Sequence, residues 1–204
     1  GTIYNENCLA EVENVLKAPN QQHLHFVKLK KGSITLGDIL TLDVDKEKRN
    51  KIIANHSATH LLQAALKQVL GSHINQAGSY VDDQRLRFDF THFEKITNDQ
   101  IKEIEATVND VIFDGIDVSI DFMSKEKALE NGAMALFDEK YGDTVRVVTI
   151  GDFSKELCGG CHVSNSAKIG LFKIEAEESV GSGVRRIEAV TGKKAYQALV
   201  HEKE

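Results

Sequence analysis

Cysteine and proline are both scarce in this sequence. Its 204 residues contain three cysteines, Cys8, Cys158 and Cys161, and a single proline. A small, odd number of cysteines argues against a disulfide scaffold and for a reducing, cytoplasmic setting, where paired thiols more often bind a metal or react. The one proline, Pro19, falls in a predicted turn between strands.

Long apolar runs and excess basic charge are also lacking. No stretch approaches the roughly 20 apolar residues that a membrane-spanning helix needs, and no signal-peptide pattern opens the chain, so we expect no membrane partner. The net charge is −6, so an RNA substrate would need a local basic patch or another part of the protein. Because the chain starts at Gly1 and ends within a predicted helix, we expect a fragment of a longer protein.

The first 50 residues predict a small β module. Short strands are predicted over 10–18, 24–32 and 38–45. We therefore expect residues 1–50 to form a small β-barrel or β-sandwich. The charged stretch DKEKRNK (45–51) is interpreted as a solvated connector.

Residues 51–204 predict an α+β domain. Apolar residues recur with helical spacing over 56–71, and Thr97 and Gln100 form a capping box that opens a second long helix. Between these helices, residues 77–90 alternate as a hairpin that turns near Asp82. Further strands are predicted over 116–122, 144–151, 169–177 and 183–190, and further helices over 124–132 and 192–204. Long helices beside a mostly antiparallel sheet are typical of this class.

The stretch ELCGGCHV (156–163) carries the first chemical motif. C-x-x-C-H is the pattern for covalent haem attachment, but the oxidising assembly compartment and signal peptide that haem attachment requires are not evident. A redox dithiol normally opens a helix within a βαβ pattern, whereas a predicted strand follows here. Gly159 and Gly160 allow a tight turn, which could bring Cys158 and His162 toward one point as part of a metal site.

His56 and His60 carry the second motif. They lie four residues apart on the first helix of the domain and therefore share one face, a spacing that lets two imidazoles bind one ion. Residues 57–59 contain no glutamate, which argues against the H-E-x-x-H chemistry of zinc proteases, and the H-x-E pattern of zinc deaminases is also missing. With one or two ligands from the glycine turn, the two histidines complete a tetrahedral N/S site that suits Zn²⁺.

Several longer motifs resemble the editing domain of bacterial alanyl-tRNA synthetase. They are NHSATHLLQAALKQVLG (55–71), GSYV with LRFDFTH (78–92), GAMALFDEKYG (132–142), GDFSKELCGGCHVSNSAKIGLFKI (151–174) and GVRRIEAVTG (183–192). The resemblance covers nearly all of 50–192, and the preceding strands are similar to that enzyme's small β-barrel module. The threonyl enzyme's editing domain shares the H-x-x-x-H and C-x-x-x-H scheme, but GVRRIEAVTG favours the alanyl enzyme.

This resemblance implies hydrolysis of Ser-tRNA(Ala) and Gly-tRNA(Ala), with the rest of the synthetase chain as a partner. It implies that Zn²⁺ is held by His56, His60, Cys158 and His162. The two helix histidines would also be catalytic, Thr59 and Gln76 match positions that line the amino-acid pocket, and Arg185 matches a position linked to activity on the RNA end. A threonyl-type editing domain, a free-standing trans-editing protein and a zinc-stabilised tRNA-binding module without activity are the alternatives.

Cys161 departs from the family, which usually has threonine at this position. Its thiol is a fifth potential ligand. Pairing Cys158 with His162 follows the family's C-x-x-x-H scheme, whereas pairing Cys158 with Cys161 would free His162. Cys161 could equally be a small residue that fills the space of the threonine.

Arg185 and Arg186 are neighbours on a predicted strand, so their side chains alternate between its faces. One of them could meet a phosphate of the RNA end while the other pairs with an acid. Ion pairs within the sheet are the alternative for both.

Overall fold

The computed structural model of the chain describes residues 1–135 and 143–201. They divide into two compact units, Gly1–Arg49 and Asn50–Glu204. Residues 136–142 of the GAMALFDEKYG motif and residues 202–204 of the last predicted helix lie outside the described residues. No helix within the described ranges is long and apolar enough to cross a membrane.

The first unit contains a four-stranded antiparallel sheet. Its strands are β1 (Thr2–Tyr4), β2 (Cys8–Lys17), β3 (His23–Gly32) and β4 (Thr41–Asp43). They lie in the order β3-β2-β1-β4, and Thr2 pairs with Glu11 on one side and Asp43 on the other. The three predicted strands are present as β2, β3 and a shorter β4. Strand β1 was not predicted, because three residues are too few to show an alternating pattern.

Helix α1 (Lys46–Leu70) begins earlier than its apolar spacing indicates. Residues 45–51, interpreted as a solvated connector, are all exposed, and the boundary between the two units falls within them. All but the first are nevertheless helical. Asp45 caps the helix by accepting a hydrogen bond from the Lys48 amide at 3.0 Å, and the lysine, glutamate and arginine that follow are good helix formers. The helix ends before Gly71, whose φ is 114°, as predicted.

The second unit contains two antiparallel sheets. The larger sheet has the order β10-β11-β6-β5 and the smaller has the order β7-β8-β9. Their strands are β5 (Gln76–Val81), β6 (Leu86–Thr91), β7 (Val118–Ser124), β8 (Thr144–Ile150), β9 (Ser154–Leu157), β10 (Phe172–Gly181) and β11 (Val184–Thr191). The remaining helices are α2 (Asn98–Phe113), α3 (Lys125–Glu130) and α4 (Gly192–His201). The predicted α+β class is confirmed.

One buried apolar cluster joins α1 and α2 to the larger sheet. Among its fully buried members are Leu61, Leu62 and Leu66 of α1, Ile104 and Val108 of α2, and Phe88, Phe90 and Ile187 of the sheet. The capping box that opens α2 is present, since Thr97 and Gln100 bond reciprocally. Because this packing fixes α1, it also fixes the direction in which the polar face of that helix points.

Two short elements flank the glycine turn without a sequence signal of their own. Strand β9 precedes the turn, and a 3-10 helix, Ser166–Ile169, follows it. Four residues are too few to show a strand or helix period. Asn165 caps the 3-10 helix by accepting a hydrogen bond from the Ala167 amide at 3.0 Å. The chain between Cys158 and Asn165 is therefore held at both ends.

Candidate metal centre and adjoining cavity

Two elements of the second unit supply the four predicted donors. Helix α1 supplies His56 and His60, and the loop after β9 supplies Cys158 and His162; their ligand atoms all lie within 4.8 Å of one another. Cys158 Sγ is 3.5 Å from His56 Nε2 and 3.3 Å from His162 Nε2. Tetrahedral zinc with its usual bond lengths places such donors about 3.3–3.6 Å apart. The two sulfur–nitrogen pairs match this spacing, and the four donors together could hold a single metal ion.

The glycine turn approaches α1 closely because of Gly160. A Cβ added there would overlap the imidazole of His56 and come within 2.6 Å of its Nδ1, whereas a Cβ on Gly159 would meet nothing within 4 Å. Arg146 of β8 holds the turn, since its Nη1 donates to the carbonyl oxygens of Cys158 at 2.6 Å and Gly160 at 2.8 Å. The second glycine, rather than the first, determines how near the loop comes to the helix.

Each of the three imidazoles has a fixed partner on its Nδ1 atom. His56 pairs with the Cys161 carbonyl at 3.2 Å, and His162 pairs with Ser57 Oγ at 3.2 Å. His60 Nδ1 lies 3.0 Å from Glu156 Oε2, an ion-pair contact without hydrogen-bond geometry. Partners of this kind set the tautomer and ring orientation of metal-binding histidines. The three rings are therefore oriented by the protein itself.

The electrostatics of the cluster favour a thiolate. Burial acts to raise the pKa of Cys158, but hydrogen bonds to His162, His56 and His60 outweigh it and lower this pKa to about 3. Burial also opposes charge on His60, but its bonds to Cys158 and Glu156 raise the pKa of this imidazole to about 9. Burial lowers the pKa of His162. A thiolate and a neutral imidazole are the forms that bind metal, and metal binding would displace the proton of His60.

A cavity of about 70 Å³ adjoins the donor cluster. It is lined by His56, Thr59, His60, Gln63, Gln76, Ser79, Glu156, Leu157 and Cys158. Thr59 Oγ1 donates to the Asn55 carbonyl at 2.9 Å, so its lone pairs remain available as acceptors. Gln76 Nε2 lies 3.2 Å from Ser79 Oγ. The space exceeds that of one water molecule, and its mostly polar walls suit a small ligand that makes hydrogen bonds.

Arg185 lies outside the lining of this cavity. Nε and Nη2 of Arg185 face Glu177, and the two side chains are 11% and 9% exposed. Arg186 forms a two-point pair with Asp89 at 2.7 and 2.9 Å. Both arginines therefore form ion pairs within the sheet, which is the alternative given above for each of them.

Cys161 is exposed and is not one of the four clustered donors. Its backbone carbonyl faces His56 Nδ1. Thiol and threonine hydroxyl are interchangeable for that contact, because it involves no side-chain atom.

The metal centre is supported by three further residues, none of which the sequence motifs indicate. Glu156 is 1% exposed and faces His60, Ser57 contacts His162 and accepts from the Val163 amide at 3.1 Å, and Arg146 holds the turn. Glu156 lies two residues before Cys158 in the sequence, and a buried acid near a ligand is the one signal that could have been used. Ser57 and Arg146 give no local signal, because their partners are distant in the chain.

Together, the fold and the donor cluster define an α+β domain with a candidate metal centre beside a polar cavity. Residues 145–188 match the family model described as the threonyl and alanyl tRNA synthetase second additional domain. The matched segment contains Cys158 and His162 and ends within β11.

Individual relatives narrow the similarity from the two kinds of synthetase to the alanyl kind. It is 54% identical over 199 residues to alanine–tRNA ligase of Bacillus pumilus, 55% identical over 202 residues to that of Listeria welshimeri and 56% identical over 199 residues to that of Geobacillus thermodenitrificans. These matches cover 98–99% of the chain but 23% of each relative. The resemblance to bacterial alanyl-tRNA synthetase is confirmed, and the chain spans about a quarter of the length of these relatives.

Proposed function

We propose that this chain is an editing hydrolase domain that cleaves the aminoacyl ester of Ser-tRNA(Ala) and Gly-tRNA(Ala), as part of an alanine–tRNA ligase. The observation that carries the proposal is the convergence of three imidazoles and a thiol on one edge of a small polar cavity. Similarity to alanine–tRNA ligases over nearly the whole chain supports tRNA(Ala) as the RNA and the remaining synthetase chain as the partner.

Zn²⁺ is the ion that best suits the four donors. One thiolate and three imidazoles are typical zinc ligands, and zinc prefers the tetrahedral arrangement that their spacing allows. When bound, zinc would supply fixed positive charge at the cavity edge, which favours negative charge that develops at the ester. Because four protein donors fill a tetrahedral shell, His56 and His60 contribute by holding the ion where it faces the ester.

The cavity walls account for the choice of amino acid. Alanine is intermediate in size between glycine and serine, so size alone cannot exclude it. A serine hydroxyl could donate to Thr59 Oγ1, with the Gln76 amide as a further partner at the rim, whereas an alanine methyl group would leave these polar groups unpaired. Glycine brings no methyl group into the cavity, so a water molecule can remain there and keep these groups paired.

Arg185 is proposed to act at the RNA end. Glu177 faces Nε and Nη2 of its guanidinium, which leaves Nη1 as the nitrogen that could face a phosphate. The ion pair orients the guanidinium, and such fixed donors suit phosphate oxygens.

Deacylation assays on the purified chain test this proposal. We expect faster hydrolysis of Ser-tRNA(Ala) and Gly-tRNA(Ala) than of Ala-tRNA(Ala), with about one zinc per chain by metal analysis. Thr59→Val keeps the shape of the side chain and should slow hydrolysis of the seryl ester about tenfold, while the glycyl ester is hydrolysed at the unchanged rate. Zinc and RNA binding without any deacylation would instead identify a binding module and overturn the proposal.

A further inference from the structure

An aromatic cluster of His73, His92 and Phe93 lies at one end of the larger sheet. The rings of His73 and His92 lie side by side and close to parallel, with centroids 5.2 Å apart and planes at 26°. They meet at their edges, because His73 Nε2 is 2.9 Å from His92 Nδ1. Thr91 ties the segment down, because its Oγ1 donates to the His73 carbonyl at 2.9 Å. The two imidazoles are thus held side by side on a fixed backbone.

Phe93, the residue after His92, is the most exposed member of this group. Its side chain is 86% exposed, although its ring lies against the backbone of Gly183. A Cβ on Gly183 would come within 2.7 Å of the ring, and the φ of +70° at that glycine is one that other residues rarely adopt. The His92 amide also donates to the Gly183 carbonyl at 2.9 Å. The Gly183 backbone therefore supports the phenyl ring, and most of the ring is presented to solvent.

The aromatic cluster is close to the proposed hydrolytic cavity along the sheet. Gln76, which lines the cavity, pairs across β5 and β6 with Phe90, and Phe90 pairs on its other side with Arg185. Phe93 follows Phe90 by three residues, which corresponds to about 10 Å of extended chain. Stacked bases are about 3.4 Å apart, so this distance is within reach of the last two or three nucleotides of an RNA whose ester occupies the cavity.

Exposed aromatic rings are the usual platforms for unpaired nucleobases, which stack on phenyl and imidazole faces without sequence preference. Burial, followed by proximity to His73, lowers the pKa of His92, so this imidazole is neutral at pH 7. We infer that the aromatic cluster stacks the unpaired nucleotides that precede the aminoacyl ester and so positions the ester over the cavity. The inference rests on the proposed function for the identity of the RNA, but stacking can be measured without hydrolysis.

Binding of an RNA hairpin with an unpaired 3′ end, followed by fluorescence anisotropy, tests the inference directly. Phe93→Ala should weaken binding about tenfold, in keeping with the loss of one base–aromatic stack, whereas Phe93→Trp should retain it. Phe113→Ala removes another exposed ring (70% exposed) and should leave binding unchanged. A blunt-ended hairpin should bind wild type and Phe93→Ala equally. Any of three results would overturn the inference. They are unchanged binding of the overhang by Phe93→Ala, a loss of affinity for the blunt hairpin equal to that for the overhang, and no binding of the overhang by wild type.

A kinetic comparison separates this inference from the proposed function. Phe93→Ala should raise KM about tenfold for Ser-tRNA(Ala) with kcat unchanged, and it should leave hydrolysis of a simple serine ester without a nucleobase unaffected. If wild type binds the overhang through Phe93 but hydrolyses neither ester, the proposed hydrolysis fails while base stacking stands. If Phe93→Ala hydrolyses both esters like wild type, base stacking fails while hydrolysis stands.

Discussion

The second unit contains two groups of histidines that the fold treats differently. His56, His60 and His162 surround a thiol, and each directs its second nitrogen to a fixed partner. His73 and His92 bond to each other edge to edge, and the exposed Phe93 follows His92 in the chain. Closeness of imidazoles is common to both groups, so closeness alone does not make a metal site.

What distinguishes the two groups is the surroundings of the rings. Within the described residues, the three histidines around Cys158 belong to the one cluster of at least three potential ligands, whereas the His73–His92 pair belongs to none. A thiolate and oriented Nδ1 atoms prepare the first group for a cation. The second group presents ring faces and edges instead, which suits stacking. The difference lies in the neighbours and not in the residue type.

The largest expected effect is the contrast in zinc content between variants that each lack one imidazole, one variant from each group. His60→Ala should abolish stoichiometric zinc binding and deacylation, because it removes a ligand and leaves the buried Glu156 carboxylate without the imidazole that faces its Oε2. His73→Ala should leave the zinc content at the wild-type value. Metal analysis of the two variants checks this contrast, and equal zinc loss in both would show that the groups are not distinct.

Gly160→Ala should have the next largest effect. The new methyl group would overlap the His56 ring, so the turn or the helix must move, and we expect zinc affinity to fall by at least about tenfold. Gly159→Ala is the matched control, since its methyl group would meet nothing within 4 Å. Competition with a chromophoric chelator measures both affinities. Similar affinities for the two alanine variants would mean that the loop does not need this close approach.

Glu156→Gln should lower zinc affinity about 10- to 100-fold, as loss of an outer partner of a metal-binding histidine typically does. The amide keeps the size of the carboxylate but weakens its bond to His60. Glu188→Gln serves as the control, because the Glu188 carboxylate pairs with Arg85 elsewhere on the sheet. The same chelator competition applies, and wild-type affinity in Glu156→Gln would exclude a positioning role for this carboxylate.

The two groups should also differ in their titration. In the metal-free protein, His60 should keep its proton until the pH approaches 9, because its folded pKa is raised to about 9. The pKa of His92 is lowered, so that ring should lose its proton below pH 6.5. Zinc affinity should then rise between pH 7 and 9, by about tenfold per pH unit for one displaced proton, and level off above pH 9. NMR titration of the ring protons and pH-dependent metal competition measure these effects, and a flat affinity profile would contradict the assignment to His60.

The smallest effect is expected for Cys161→Thr. The side chain is exposed and its link to the centre is a carbonyl oxygen, which threonine also provides. Zinc content and deacylation should both remain at wild-type values. Substoichiometric zinc in this variant would show that the Cys161 thiol takes part in binding.

Local sequence patterns predicted the long elements of the fold well. Helix α2 begins at its capping box, α1 ends at Gly71, and the β5–β6 hairpin turns at Asp82 as expected. The start of α1 was missed because a run of charged residues was interpreted as a connector, although Asp45 is a good N-cap. β9 and the 3-10 helix were missed because elements this short are formed by tertiary contacts rather than by a period.

The sequence alone determined which side chains could serve as donors, since the four-residue spacing of His56 and His60 and the spacing of Cys158 and His162 are local properties. Tertiary structure decided that these pairs meet, through contacts such as His56 with Cys161, 105 residues apart. It also decided that Glu156 supports His60 and that both arginines of β11 pair with acids. Contacts between distant residues follow from the packing of a shared core, which no local periodicity encodes.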